Sequence, residues 1–171
     1  MDTYGNNGWA GLASINLSGS GHISTGSVKL NDTYESGAPT AERQGVMCQE
    51  VGHTYGLDHQ DTNFNNPNLG TMPAVALVAV AAAAVPAQAN HSWGGRAVTV
   101  PLISSVTSGR SSNLTVAKND WNSSPYIESS IIAGSTTTST RSSCSMPAGQ
   151  IRVCNYRDRD GQCPTTGETG H

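Results

Sequence analysis

The chain has 171 residues and a formal net charge of −3, and only 12% of its residues are Asp, Glu, Lys or Arg. This length allows one domain, and the absence of a basic stretch argues against a nucleic-acid partner. The 19 glycines and the many Ser, Thr and Asn residues are typical of a secreted, loop-rich protein and exclude the usual composition of a cytosolic enzyme.

Two strands are predicted before the first helix. Residues 9–16 alternate between apolar and polar side chains as a half-buried strand does, and residues 23–30 form a second such run. Ser20-Gly21-His22 between them predicts a turn.

A helix is predicted to begin near Thr40 and to continue through residues 49–53. Thr40 is the expected N-cap, and Pro39 keeps the preceding chain extended. Gly56 is the expected end of the helix, because Gly adopts the left-handed conformation of a C-terminal cap without steric cost.

The spacing in this helix is typical of a metal site. Gln49 and His53 are four residues apart and therefore lie on one face, and the chain can return after the helix to bring His59 to the same point. Zinc binds neutral imidazole in tetrahedral geometry and, in catalytic sites, keeps one position for water. Glu50 lies beside the ligand face and is expected to take the proton of that water.

Residues 49–59 read Q-E-V-G-H-T-Y-G-L-D-H and resemble H-E-x-x-H-x-x-G-x-x-H, the signature of the metzincin zinc metalloproteases, with Gln49 in place of the first His. Secreted bacterial metzincin-like proteins have a similar C-Q-E-V-G-H-x-x-G-L-D-H-Q-D helix. The resemblance implies an α+β fold with a twisted mixed sheet and an active-site helix. It also implies a Zn²⁺ ion held by His53, His59 and Gln49, with Glu50 as the general base.

The same resemblance implies a substrate-binding strand and a turn beneath the metal. In metzincins an edge strand beside the active-site helix pairs with the substrate backbone. The candidate strand here contains Trp9, Ala10 and Gly11; the alternative is an ordinary interior strand. The Met-containing turn is missing or reduced to Met72, which follows Thr71 directly.

Three roles for Gln49 stay open. Its amide oxygen can bind zinc, although it is a weaker donor than imidazole. It can instead orient a water molecule, with Asp58 or Asp61 supplying the third ligand. Alternatively, the site is a relic with two histidines that has lost tight metal binding.

Residues 73–89 resemble a signal peptide placed inside the chain. An apolar run at 73–85 is followed by Ala87-Gln88-Ala89, an A-x-A cleavage sequence. A bilayer needs about 20 apolar residues, so no stable membrane span is expected. The alternative is a buried core helix.

The segments after this run resemble the N-terminal half of proteins in the same family. The order of the two halves in this chain is therefore predicted to be permuted. The domain hypothesis is a metzincin-like back half at 1–72, the signal-like segment at 73–89, a front half at 90–155 and a disordered tail at 156–171. Either two gene pieces were joined in the wrong order, or the fold is a circular permutant whose native termini lie close together. The fold is therefore incomplete or permuted.

The front half is predicted to contain a strand at 96–106, a helix at 114–123 and a strand at 129–133. A strand at 150–153 is expected to lie in a small hairpin flanked by Cys144 and Cys154, which makes these two the strongest disulfide pair.

Cys48 and Cys163 have no assigned partner. The resemblance implies a partner for Cys48 after Gly70-Thr71, and no Cys stands there. A disulfide and a signal-like segment both indicate an oxidising, extracellular compartment.

These observations predict a secreted, monomeric zinc endopeptidase that acts on proteins or peptides. One alternative is a catalytically impaired metzincin-like relic that binds peptides without cutting them. Another is a rearranged product with no function.

Overall fold

The computed structural model describes residues 4–57, 91–95 and 97–158. The described chain forms seven strands and four helices. In chain order these are β1 (Gly11–Leu17), β2 (Ile23–Asn31), α1 (Asp32–Glu35), α2 (Thr40–Thr54), β3 (Val98–Thr99), β4 (Leu102–Ser105), α3 (Ser108–Asn122), β5 (Ile127–Glu128), β6 (Ile131–Ala133), α4 (Thr138–Ser143) and β7 (Ile151–Tyr156).

Five of these strands form one mixed sheet in the order β1-β2-β7-β4-β6. β1 is antiparallel to β2, whereas β2, β7, β4 and β6 run parallel to one another. β3 and β5 form a separate parallel pair. A mixed sheet with several helices is consistent with the predicted α+β class.

The central strand of the sheet joins the two segments of the chain. Ile151 of β7 is paired with Gly26 of β2 on one side and with Leu102 of β4 on the other. β1 and β2 come from residues 4–57, whereas β7, β4 and β6 come from residues 97–158. The two segments therefore share one sheet.

The core is also built from both segments. α2 packs on β1 and β2 and lies against α3. Met47, Val51 and Thr54 are fully buried on one face of α2, at the spacing expected for a helix that packs on a sheet. The largest buried apolar side chains of the core are Leu30, Met47, Leu102, Leu114 and Ile151.

The N-cap prediction for Thr40 is wrong by one residue. Pro39 is the N-cap, with an extended ψ of 151°, and it makes no side-chain capping bond. Thr40 is already helical, and its Oγ1 accepts a hydrogen bond from Nη2 of Arg43 at 3.1 Å. A proline fits the extended side of this boundary because its φ is fixed near −65°.

The predicted strand at 96–106 is interrupted at Pro101. β3 ends at Thr99 and β4 begins at Leu102. Proline has no N–H to donate to a neighbouring strand, and only its carbonyl is used, accepting from the Ile151 N–H at 3.0 Å. The predicted helix at 114–123 begins earlier, at Ser108, and the predicted strand at 129–133 is the shorter β6.

The hairpin predicted around residues 150–153 is also wrong. β7 is a parallel strand inside the sheet, and it includes Tyr156, which the sequence predicts to belong to the tail. The Cys144–Cys154 disulfide itself is present, with 5.9 Å between the Cα atoms. Cys144 ends α4 in the left-handed conformation, with φ 44°, and this turn returns the chain to β7.

Several predictions concern parts of the chain that the structure does not describe. Met72, the signal-like segment 73–89, Cys163 and residues 159–171 lie outside the described ranges. Within those ranges, no helix combines the length and apolar character needed to cross a membrane.

Candidate functional site

The motif residues on α2 lie in three different environments. Glu50 is buried, with 8% of its surface exposed, whereas His53 is half-buried and Gln49 is exposed. The burial of Met47 and Val51 against the sheet sets the rotation of the helix. Gln49 and His53 are one helical turn apart, as predicted, and His59 lies outside the described residues.

The C-terminal end of α2 is closed by Gly56, as the sequence predicts. Gly56 has a φ of 93°, and its N–H donates to the His53 carbonyl at 3.0 Å while the Leu57 N–H donates to the Gly52 carbonyl at 3.4 Å. These two bonds form a Schellman motif. A side chain at Gly56 would also collide with the carbonyl oxygen of His91, so the position requires glycine on two grounds.

The same turn orients His53. Its Nδ1 lies 2.7 Å from the backbone carbonyl oxygen of Leu57. A carbonyl only accepts, so Nδ1 carries a proton, and the neutral tautomer consistent with this contact has its lone pair on Nε2. Metal-binding histidines commonly make this type of contact, because it fixes both the tautomer and the direction of the ring.

Glu50 is held between the helix and the sheet. Burial raises the pKa of its carboxyl above the usual value, and this effect exceeds the opposing effects of His53 and of a hydrogen bond donated by the Ala13 backbone N–H. A carboxyl whose pKa is raised by burial is suited to general-base chemistry, because its pKa moves toward the operating pH.

The strand that contacts Glu50 is the terminal strand of the sheet formed by the described residues. β1 pairs with β2 alone in the strand order, and the Asn31 N–H donates to the Ala10 carbonyl at 2.8 Å. Backbone groups alternate in direction along a strand, so Gly11, Ala13 and Ile15 turn their N–H and C=O groups away from β2. These groups form the outer edge of β1, and Glu50 contacts it at Ala13.

The three residues predicted to bind substrate differ in their positions. Gly11 is the first residue of β1 and belongs to the outer edge. Trp9 and Ala10 precede the strand, and both of their carbonyls accept hydrogen bonds from Asn31. Trp9 also packs against Tyr4, with 5.4 Å between ring centroids. The outer edge therefore includes Gly11 but extends toward Ile15 rather than toward Trp9.

Two tryptophans that the sequence analysis did not assign to the site hold α2 in place. Trp121 Nε1 donates to the Cys48 carbonyl at 2.9 Å, and Trp93 Nε1 donates to the Thr54 carbonyl at 2.8 Å. Trp121 also contacts Tyr55 edge to face. The sequence indicates only that each indole N–H needs an acceptor if it is buried. It does not indicate which carbonyl accepts the hydrogen bond.

The residues fit a zinc site in part. His53 has the appropriate tautomer, and Gln49 offers an amide oxygen one turn earlier on the helix. Within residues 4–57, 91–95 and 97–158, no three His, Cys, Asp or Glu side chains lie close enough together to hold a metal ion. Asp58, His59 and Asp61 lie outside these ranges. A His, Cys, Asp or Glu that completes such a group would have to lie outside these ranges.

Cys48 is a free, buried thiol beneath the site. Burial, with a smaller contribution from nearby Asp120, raises the pKa of the thiol to about 11 against the opposing effect of Trp121. At neutral pH the thiol is protonated and behaves as a small apolar side chain.

Comparisons with known proteins identify no relative. No protein-family model matches the chain, and neither a curated protein nor a solved structure matches it.

Proposed function

We propose that the protein is a secreted zinc-dependent endopeptidase of the metzincin type, which acts as a monomer on proteins or peptides. The observation that carries this proposal is the contact between Glu50 and Ala13. A buried carboxyl with a raised pKa lies against the outer edge of a terminal strand, one helical turn from a histidine whose tautomer suits metal binding.

The proposed metal ligands are His53 through Nε2, His59, and Gln49 through its amide oxygen. When bound, zinc would acidify a water molecule and polarise the carbonyl of the scissile bond. The Leu57 carbonyl holds the His53 ring in its tautomer, and the Schellman turn at Gly56 ends the helix three residues before His59 in the sequence.

Glu50 has the role of general base. Its burial disfavours the negative charge, so the carboxylate accepts a proton more readily than an exposed glutamate does. The same carboxyl would then deliver the proton to the amine that leaves when the peptide bond breaks.

The outer edge of β1 is the proposed substrate strand. An extended peptide can add to a terminal strand through main-chain hydrogen bonds, and the side chains on alternate residues then determine specificity. Gly11 and Ile15 present their backbone groups on either side of Ala13, so a peptide paired there would pass the Glu50 carboxyl.

Zinc content tests the metal site. The wild-type chain should bind one equivalent of zinc after removal of metal and reconstitution, measured by mass spectrometry of the desalted protein. His53→Ala should lose that zinc, because it removes an imidazole ligand. His22→Ala removes an exposed histidine and is the matched control, which should keep it. Equal zinc content in both variants would contradict the assignment.

Casein cleavage tests the general base. Glu50→Gln should lower kcat/KM by about 100-fold or more while zinc remains bound, because proton transfer is lost and the shape is kept. Glu42→Gln changes an exposed glutamate of the same helix and should cleave at the wild-type rate. Cleavage that survives in the Glu50→Gln variant would remove Glu50 from the mechanism.

The second candidate function is peptide binding without cleavage. The exposed, neutral side chain of Gln49 at the first ligand position favours it, because an amide oxygen is a weak zinc donor. A metal-free chain that folds and binds extended peptides along β1, but never cuts them, would support this candidate over the endopeptidase.

The third hypothesis is a rearranged product without function. It predicts a chain with no cooperative thermal unfolding transition.

Sequencing of the locus tests the origin of the permuted segment order. A front half that lies upstream of the back half and in frame with it would indicate two pieces joined in the wrong order.

A further inference from the structure

Gly11 lies directly against the side chains of α2. A Cβ atom added to Gly11 would lie 2.5 Å from Cγ of Glu50, 2.9 Å from its Cδ and 2.7 Å from Cγ1 of Val46. These separations are well below the 3.5 to 4.0 Å or so at which carbon atoms are in contact. No side chain fits at position 11 unless Glu50 or the helix moves.

The helix has no room to retreat on its other side. A Cβ atom added to Gly52 would lie 2.5 Å from Cζ2 of Trp121, so the indole is packed directly on the backbone of α2. Trp121 is further tied to the helix by its bond to the Cys48 carbonyl. α2 is therefore held between β1 and α3, with a glycine at each close approach.

We propose that Gly11 is a positioning residue for Glu50: its lack of a side chain allows the carboxyl to lie at the outer edge of β1, within reach of the Ala13 N–H. This role differs from backbone pairing with a substrate. It rests on the proposed function only in so far as Glu50 is the general base.

Gly11→Ala should expel the Glu50 side chain from the strand. Since Trp121 blocks movement of the helix, the carboxyl must rotate toward solvent and lose its contact with Ala13. The distance between the Glu50 side chain and the Ala13 N–H should therefore increase.

The position of the Glu50 side chain tests this without any need for activity. NMR measures the nuclear Overhauser effects between the γ protons of Glu50, assigned with Glu50→Gln, and the amide proton of Ala13. Gly11→Ala should weaken or abolish them. Gly45→Ala on the same helix is the control, because no atom lies within 4 Å of the added Cβ. Overhauser effects of the same strength in wild type and in both glycine variants overturn the proposal.

Activity supplies a separate arm. If the protein cleaves casein, Gly11→Ala should lower kcat/KM by about 100-fold, as a displacement of about 1 Å does, and the loss should fall on kcat with little change in KM. A loss that falls on KM with kcat unchanged overturns the proposal. If the wild-type chain cleaves nothing, the proposed function fails while the NMR measurement still decides the role of Gly11.

A stability cycle covers the case in which Gly11→Ala does not fold. The substitution is repeated in a Val46→Ala/Glu50→Ala background, which removes all three atoms that meet the added Cβ. In this background Gly11→Ala should fold and lose far less stability than in the wild-type chain. An equal loss in both backgrounds overturns the proposal, because the glycine would then serve the strand backbone and not Glu50.

Discussion

The rings of Tyr4 and Tyr156 meet edge to face, with 5.2 Å between their centroids. Beside them, a Cβ atom on Gly5 would lie 3.7 Å from Cβ of Asp158. The Tyr4 hydroxyl also donates to the Arg141 carbonyl at 3.1 Å. Residues 4 and 5 therefore lie against residues 156–158, where β7 ends, and a very short link could join the two segments in the opposite order.

A chain reordered in this way should fold to the same structure. The variant carries residues 91–158, a short Gly-Ser linker and then residues 4–72. We expect an unchanged far-UV circular dichroism spectrum and a Tm within a few degrees of wild type, because the contacts are kept and loop-closure entropy changes by only about 0.6 kcal/mol per doubling of loop length.

The matched control for this variant keeps the original order and replaces residues 73–89 with a Gly-Ser linker of equal length. If the control folds and the reordered chain does not, the two segments depend on their present order, and the circular-permutant explanation is wrong.

The ion pair between the buried Arg110 and the half-buried Asp32 should stabilise the packing of the two segments against each other. Nε and Nη2 of Arg110 donate to Oδ1 of Asp32 at 3.0 and 2.5 Å, and Asn155 donates to the other carboxylate oxygen. Arg110→Met should lower the free energy of unfolding by about 1–3 kcal/mol, because it leaves the half-buried Asp32 carboxylate without its ionic partner. Urea titration measures the loss. Arg157→Met, at an exposed position, should cost less than about 0.5 kcal/mol; similar losses in the two variants would show that the pair contributes nothing particular.

Gly52→Ala should destabilise the protein through overpacking. Its Cβ would meet three atoms of the Trp121 ring at 2.5 to 3.3 Å, and the ring is held by its bond to Cys48. We expect a loss of about 1–3 kcal/mol. Gly45→Ala, in an open part of the same helix, should instead stabilise the protein by up to about 1 kcal/mol through helix propensity. Thermal unfolding of both variants makes the comparison, and an equal gain in stability would place Trp121 away from the helix.

The stability of the protein should depend on pH through Glu50. Its native pKa lies above the usual 4.5, chiefly because burial disfavours the charge. The native state thus holds the proton more tightly than the unfolded state. The resulting stabilisation is complete below the usual pKa and is lost as pH rises through the native pKa.

Glu50→Gln removes this dependence because the amide stays neutral. The variant should gain Tm relative to wild type as the pH is raised from about 4 to about 8, whereas the exposed Glu42→Gln control should show no such trend. A difference in Tm that stays constant over this range would mean that the Glu50 carboxyl titrates alike in the native and unfolded states.

The sequence by itself determined the features that depend on residues close to one another along the chain. The helix through residues 49–53 and its end at Gly56 follow from local rules of helix formation and capping, and both are present. The disulfide between Cys144 and Cys154 was also predictable, since the two lie close in sequence. The role of His59 as a zinc ligand stays a prediction, because His59 lies outside the described residues.

Only the tertiary structure decided the features that depend on distant pairing. β7 became a central parallel strand and not half of a hairpin, because its partners β2 and β4 come from segments far away in the chain. The placement of Glu50 against Gly11 and Ala13 likewise depends on how α2 is packed between β1 and Trp121. Local propensity carries no information about which strand or ring arrives from elsewhere, so these contacts appear only once both segments have formed one core.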